Sequence, residues 1–297
     1  MKIAITGANS SVGMNLLGQC ETRPELSFIA GVRSPSALPA LPQSSQVDGR
    51  CISYDDVEAL AQSLSGADCV VHLAGILIES KQSKYQQANV EATRAVVEAA
   101  EKIGAKHLVF ISVVGASTYS NNAYFRSKGE AEELVNASSL STTVIRTPIL
   151  LGPGTAGASA LVAAAKNPKA KALGGGLYRM RPLDIDDLNA AIFNACERQE
   201  PGSASYELVG PEAIAYCDLI TRTAKRLDPA STLTVGSIPI GLTKFTAMLS
   251  STLRGGGFTP AVIDVITQDE VVEHNAFAEL GITLTPLDTT ISKILES

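Results

Sequence analysis

Nowhere in the chain do lysines or arginines gather into a run, and the formal charge is −6 with an isoelectric point near 5.2. A general nucleic-acid binder carries a basic footprint, so a nucleic-acid partner is not expected. Only three histidines occur, His72, His107 and His274, too far apart for metal-ligand spacing, which argues against a zinc site. The five cysteines (Cys20, Cys51, Cys69, Cys196, Cys217) never form a Cys-x-x-Cys pair. They read as reduced, mostly buried small hydrophobes, and a cytoplasmic address follows. No stretch approaches the roughly 18 consecutive apolar residues of a membrane span. The start reads as a strand and a turn, so neither a signal peptide nor an integral membrane span is expected.

What is present is a globular composition: 297 residues, 45% hydrophobic and 18% charged, with 24 glycines. That length suffices for one large core and a smaller lobe. Short apolar strands alternate with helical patterns through the first half, the order that builds a parallel sheet covered on both faces. Strands are predicted near Lys2 to Thr6, Leu26 to Val32, Arg50 to Ser53, Asp68 to Leu73, His107 to Ser112 and Thr142 to Arg146. Helices fill the gaps, one of them from roughly Gln82 to Ile103 with Gly104 as its stop. After Pro148 the pattern loosens, suggesting residues 1–150 as a nucleotide-binding domain and 151–297 as a smaller substrate lobe. Part of 182–210, including "SYELVG", reads as returning to the main sheet. In "RPLDIDDLNAAIFNACE", Asp186 or Asp187 is placed to cap a helix.

"MKIAITGANSSVGMNLL" opens the chain as a strand leading into a turn and a helix. Such a junction offers unpaired amides and a positive dipole end, a seat for a diphosphate. Gly7 supplies the tight turn and Gly13 lets the helix pack close, with Asn9, Ser10, Ser11 and Val12 between them. A third glycine is missing: Ser10 or Ser11 stands in its place. If that position needs a left-handed backbone, serine costs on the order of 1 kcal/mol, which a hydroxyl donating to phosphate could offset. Where an acid would read the ribose at the end of the second strand, the chain has Arg33. An arginine there suits a 2′-phosphate, so NADP is favoured over NAD.

"AYFRSKGEAEELV" places Tyr124 and Lys128 four apart on a helix, on one face. A neighbouring ammonium favours the phenolate of a tyrosine, whose ordinary pKa near 10 is too high for work at neutral pH. Ser112 stands at the end of the strand "HLVFIS", where open parallel sheets place ligands.

With these motifs and "TGANSSVG", "ADCVVHLAG", "NVEATRAVVEAAEKIGAKHLVFIS" and "TTVIRTPILLGPG", the chain resembles an atypical or extended short-chain dehydrogenase/reductase, of the kind similar to NAD-dependent epimerases and dehydratases. "RPLDIDDLNAAI", "YELVGPEAIAY" and "FAELGITLTPLDTTISKIL" are similar to the subgroup of the nucleotide-binding accessory subunit of respiratory complex I. The resemblance implies an α/β fold: a Rossmann-type doubly wound parallel sheet with a smaller C-terminal substrate lobe. It implies that Tyr124 moves a proton at a substrate oxygen, Lys128 binds the nicotinamide ribose and lowers the tyrosine pKa, and Ser112 bonds the substrate oxygen. Leu73, Ala74 and Gly75 would pass beside the adenosine ribose, Asp55 or Asp56 would lie near the adenine, and Pro148 with Ile149 would face the nicotinamide. Asn89 matches a supporting helix asparagine. A single serine in "ISVVG" departs from the usual pair, so Ser117 or Thr118 could stand in for Ser112.

Other residues read more plainly. His72 is expected to be a satisfied core residue, and Asp184, Asp186 and Asp187 to cap a helix and neutralise Arg179 or Arg181. Phe245 and Met248, near Leu249 and Leu253, form an apolar face that closes over the substrate cleft or meets a partner or lipid. The expected activity is NADP-dependent hydride transfer to or from a small carbonyl, alcohol or quinone-like substrate. Nucleotide-sugar epimerisation or dehydration, and NADPH binding without turnover as a regulatory, assembly or structural subunit, are the alternatives. Assembly into a homo-oligomer is left open by the sequence.

Overall fold

The structure is a computed structural model that describes residues 1–254 and 257–296, with backbone alone for 249–254. Gly255 and Gly256, read as part of a glycine turn, and the side chains of Leu249 and Leu253 lie outside the described residues.

Seven strands form one parallel sheet: β1 (Lys2–Thr6), β2 (Ser27–Val32), β3 (Val47–Cys51), β4 (Cys69–His72), β5 (His107–Val113), β6 (Ser141–Thr147) and β11 (Ser203–Glu207). Their order is β11-β6-β5-β4-β1-β2-β3, with the chain reversing its direction of travel beside β1, and such a reversal opens a ligand crevice at the carboxyl ends of the strands. Successive side chains point to opposite faces of a strand, and both faces here are covered. Ile3, Ile5, Val71, Val109 and Ile145 meet helices α1 (Ser11–Gly18) and α6 (Ile185–Arg198). Ala4, Val70, Leu108, Phe110 and Val144 meet α2 (Val57–Leu64), α3 (Ala92–Lys102) and α4 (Ala123–Asn136). Double coverage explains why these strands are continuous apolar runs rather than alternating ones.

Two elements differ from the sequence reading. The third strand begins at Val47 rather than Arg50, because the edge segment "VDGRC" carries few apolar residues and is held instead by its register with Phe28 to Val32. The helix expected from Gln82 starts at Gln86 and opens with a π-helical turn, Gln86–Glu91, leaving 76–84 as a loop. Wider turns of this kind recur at functional sites, and this one carries Asn89.

Beyond the sheet, strands pair in twos: β7 (Leu150–Leu151) with β10 (Leu183–Asp184), β8 (Lys171–Leu173) with β13 (Gly236–Ile238), and β9 (Arg179–Met180) with β12 (Ile214–Ala215). Helices α5 (Ala156–Lys166), α7 (Tyr216–Leu227) and α10 (Leu287–Glu296) share a third apolar cluster. Helices α8 (Ile240–Arg254) and α9 (Pro260–Thr267) pack on each other. Asp184, not Asp186 or Asp187, caps α6, accepting from the Asp186 amide at 2.9 Å. The cation that neutralises the buried Asp184 carboxylate is Lys293 at 2.9 Å rather than Arg179 or Arg181. Arg181 instead donates its main-chain amide to Glu270 at 2.6 Å, and Arg179 donates its own to Asp269 at 2.7 Å. No helix among the described residues is long and apolar enough to cross a membrane.

Candidate functional site

A cleft of about 670 Å³ opens at the carboxyl ends of β1, β2 and β4. Gly7, Asn9, Ser10, Arg33, Asp55, Leu73, Ala74 and Gly75 all line it. Gly7 adopts φ +77°, and a Cβ there would stand 2.9 Å from the Ala74 amide nitrogen, so both the turn and the approach of two chain segments demand glycine. A Cβ on Gly13 would stand 2.4 Å from the Ala8 carbonyl oxygen, so α1 leans directly on the loop.

The serine that replaces the third glycine carries no backbone strain. Ser10 has φ −69° and ψ 162°, an extended conformation, and its hydroxyl oxygen accepts from the Gly13 amide at 3.1 Å as the N-cap of α1. The anticipated left-handed cost is therefore absent, and the hydroxyl proton stays available to an anion. Among the described residues the Ser11 and Val12 amides have no protein acceptor. They are the orphan donors of the first helical turn.

Arg33 follows β2 with its side chain exposed at the cleft rim. Of the two candidate acids, Asp55 lines the cleft, whereas Asp56 is occupied as the N-cap of α2, accepting from Ala59 at 3.0 Å. Tyr54, next to them, was missed by the sequence reading: it lines the cleft, and its buried hydroxyl makes no hydrogen bond of good geometry, Thr6 being its nearest polar neighbour. Burial pushes its pKa up to about 12, against opposing pulls from the nearby Thr6 hydroxyl and, less, from Arg33. The only signal for it was its place at the end of the third strand, directly before Asp55. Cys51 is also exposed on this wall rather than buried, its thiol 3.5 Å from the Arg33 carbonyl oxygen.

The second half of the site begins at Gly75. The Lys128 ammonium lies 4.0 Å from where a Gly75 Cβ would be, donates to the Ile111 carbonyl at 2.9 Å and sits 4.1 Å above the Phe110 ring. Burial lowers its pKa to about 8. Asn89 accepts from the Ile76 amide at 2.7 Å and donates to the Ile76 carbonyl at 3.1 Å and to the Ser127 hydroxyl at 3.0 Å. It ties the cleft strand to the helix that carries Tyr124 and Lys128. Behind Lys128, His72 stacks on Phe110 with ring centroids 5.5 Å apart. Thr93 donates to the Asn89 carbonyl at 2.6 Å, so its oxygen accepts from His72 Nε2 at 3.0 Å, and Thr6 donates to Nδ1 at 2.6 Å. Burial and the Lys128 charge hold this histidine down to about 3. It is the satisfied neutral core residue expected.

Tyr124 behaves otherwise than anticipated. Its ring packs with Tyr85 (5.8 Å between centroids) and Phe125 (5.7 Å) in a cluster with Ile76, Val113 and Val265. Burial and the neighbouring Tyr85 hydroxyl push its pKa up rather than down, while the Lys128 ammonium bonds to the Ile111 carbonyl and lies over Phe110. The phenol is thus held in its protonated form. Tyr85, the second residue that the sequence reading missed, donates to the Leu77 carbonyl at 2.6 Å. Ser112 is buried with its hydroxyl unpaired. Among the described residues, neither it nor Ser117 or Thr118 bonds to Tyr124. Pro148 and Ile149 do not line the cleft: Ile149 accepts from the Leu183 amide at 3.1 Å and packs with the C-terminal cluster.

Comparison with known proteins bears on the fold and the family. A family model described as NAD(P)H-binding matches residues 7–173. The ceramide reductase of Caulobacter vibrioides is 25% identical over 228 residues, 75% of this chain and 69% of that protein. Subunit 9 of the NADH dehydrogenase [ubiquinone] 1 alpha subcomplex, mitochondrial, from Dictyostelium discoideum is 21% identical over 245 residues, 80% of this chain and 67% of that protein. Among solved structures, MoeE5 in complex with UDP-glucose and NAD superposes with a TM-score of 0.76 at 19% identity, covering 100% of this chain and 98% of that one. Its likeness is one of fold.

Proposed function

We propose that this chain, which belongs to the NAD(P)H-binding family, is an NADP-dependent oxidoreductase that moves a hydride to or from a carbonyl or alcohol carbon. The observation that carries the reading is the meeting of two structures at Gly75: a cleft walled by main chain, and a helix bearing a buried ammonium and a buried phenol one turn apart.

The residues present fit a dinucleotide. Gly7 and Gly13 clear the space that a Cβ would fill, and the free Ser11 and Val12 amides with the Ser10 hydroxyl would hold a diphosphate. Arg33 would take a 2′-phosphate, and Tyr54 and Asp55 would flank the base. When bound, the nicotinamide supplies the hydride donor or acceptor. Lys128, fixed by Ile111 and Phe110, would hold the ribose of the bound cofactor. Tyr124, kept protonated by burial, would give its proton to the substrate oxygen, leaving a phenolate beside the Lys128 helix turn and an alcohol as product. The apolar surroundings of Tyr124 exclude water and suit a small or apolar carbonyl better than a charged sugar nucleotide.

A second reading, a nucleotide-holding subunit without turnover, is favoured by the packing of Tyr85, Phe125 and Val265 around Tyr124. The experiment is Tyr124→Phe, with NADPH binding followed by fluorescence and oxidation followed against a panel of aldehydes, ketones and quinones. The expected result is loss of turnover by about a thousandfold or more with cofactor affinity unchanged. Retained NADPH that no carbonyl oxidises in the wild-type chain would establish the second reading.

A further inference from the structure

Glu132 is a buried acid that the proposed chemistry leaves unused. It stands one helical turn after Lys128 on α4, and the two residues are 4% and 6% exposed. Residues four apart on a helix are neighbours on one face, with about 5–6 Å between their Cβ atoms. A carboxylate and an ammonium therefore share the enclosed side of α4, where it packs on the sheet.

Each is held by a different strand. Arg146 of β6 grips Glu132 as a fork, its Nε donating to Oε1 at 3.0 Å and its Nη2 donating to Oε2 at 2.6 Å. Such a bidentate pair fixes the carboxylate in place. Glu207 of β11 lies 3.8 Å from the remaining guanidinium nitrogen of Arg146. Lys128 is poorer in partners. Among the described residues its ammonium has one hydrogen-bond acceptor, the Ile111 carbonyl at 2.9 Å, together with the face of Phe110. An ammonium carries three donors, and burying its charge is costly unless an opposite charge offsets the loss of water.

The groups around the ammonium leave one candidate for that offset. His72 of β4 is neutral between Thr6 and Thr93, Tyr124 of α4 keeps its proton, and Asn89 of the π-helical turn is uncharged. Arg146 is a cation and acts in the opposite sense. Glu132 remains, and its charge pulls the Lys128 pKa up against the larger effect of burial.

We propose that Glu132 is a positioning residue: its carboxylate, anchored by Arg146, is the buried counter-charge that keeps Lys128 an ammonium beside Gly75. That the ammonium meets a cofactor rests on the proposed function; the pairing of the two charges rests on their placement alone.

The test is an NMR titration of the full chain with its lysines isotopically labelled at the ammonium nitrogen, Lys128→Met identifying the Lys128 signal. The wild-type midpoint is expected near pH 8. Glu132→Gln keeps the shape and an oxygen for Arg146 but loses the charge, and should move the midpoint down by about one pH unit. Arg146→Met removes the competing cation, and should move it up by about half a pH unit. Loosened packing alone would carry both midpoints up, toward the ordinary 10.5. A midpoint in Glu132→Gln that is unchanged or raised therefore overturns the inference, and one in Arg146→Met that fails to rise does so independently. NADPH titrations at pH 8 on the same samples keep the two proposals apart. With its midpoint displaced, Glu132→Gln should bind NADPH about fivefold more weakly. A displaced midpoint with unchanged NADPH affinity removes the ribose contact and upholds the counter-charge; an unmoved midpoint in a chain that binds NADPH overturns the counter-charge and leaves the ribose contact standing.

Discussion

The cofactor cleft and the Tyr124 chamber touch at Gly75, yet the first is walled by main chain and small side chains and stands open, whereas the second is filled with aromatic rings and closed. The cleft comes from neighbouring residues: a glycine turn, a capped helix and a strand end. The chamber is assembled from four separated pieces, the 76–85 loop, Val113, the start of α4 and Val265 of α9. The cleft stands open and the chamber is packed shut by α9 and the 76–85 loop, so the two differ in preorganisation as well as in composition.

The sharpest break in that contrast is Gly13→Val. Its added atoms meet the Ala8 main chain, which cannot yield as a flexible side chain can. A loss of about 3–4 kcal/mol in stability is expected, with NADPH affinity lost alongside it, measured by urea unfolding and fluorescence titration. Lys293→Met attacks the other side. It leaves the Asp184 carboxylate, 1% exposed, with only Thr290 and an amide as partners. Breaking a pair with one buried member costs about 2–3 kcal/mol, discounted for the half-exposed lysine. Thermal unfolding should report this loss while cofactor affinity stays at the wild-type value; a parallel loss of affinity would show that the two regions are not independent.

Arg33→Asp tests the cleft alone. Replacing a guanidinium with a carboxylate at the rim should shift the NADPH-to-NADH affinity ratio toward NADH by about tenfold to a hundredfold, one to two times the 1.4 kcal/mol of a tenfold step. Paired titrations with the two coenzymes measure it. An unchanged ratio would assign the 2′ position to another cleft residue.

How much of this was legible follows the same division. The parallel sheet covered on both faces, the apolar runs of β1, β4, β5 and β6, and the cleft residues Gly7, Arg33 and Gly75 are readable from the sequence. The edge strand β3 was displaced because Asp48, Gly49 and Arg50 hide a strand that only pairing with β2 creates. The cap of α6 was left among Asp184, Asp186 and Asp187, with the last two preferred, since three aspartates compete and only Asp184 is both extended and buried against Lys293. Tyr85 could not be tied to Tyr124 from the sequence, because 38 intervening positions conceal a contact that tertiary packing makes.

Lys128 links the two regions, and its ionisation gives a graded test. Burial sets its pKa at about 8, below the ordinary 10.5. The cost of burying the charge is present in full below pH 8 and is relieved as pH rises from about 8 to 10.5, so this group favours folding more at alkaline pH. Cofactor affinity should run the opposite way. If the ammonium grips the ribose, the NADPH dissociation constant rises above pH 8 by up to about tenfold per pH unit, and Lys128→Arg, charged throughout, flattens the profile. A step that persists in the arginine variant would place the titrating group elsewhere.

The smallest expected effect addresses the missing glycine. Ser10→Ala removes the oxygen that accepts from Gly13 and the hydroxyl proton facing the cleft, so the helix start should lose about 1 kcal/mol. Ser10→Gly restores the glycine and keeps the extended backbone accessible, so it should lose only a few tenths of a kcal/mol as a cap. The two variants therefore divide the role of the serine. Equal weakening of NADPH binding in both, beyond their changes in stability, would mean that the hydroxyl contacts phosphate. Weakening confined to the alanine variant would mean that the serine serves the dinucleotide only by holding the end of α1, with the Ser11 and Val12 amides carrying the anion unaided.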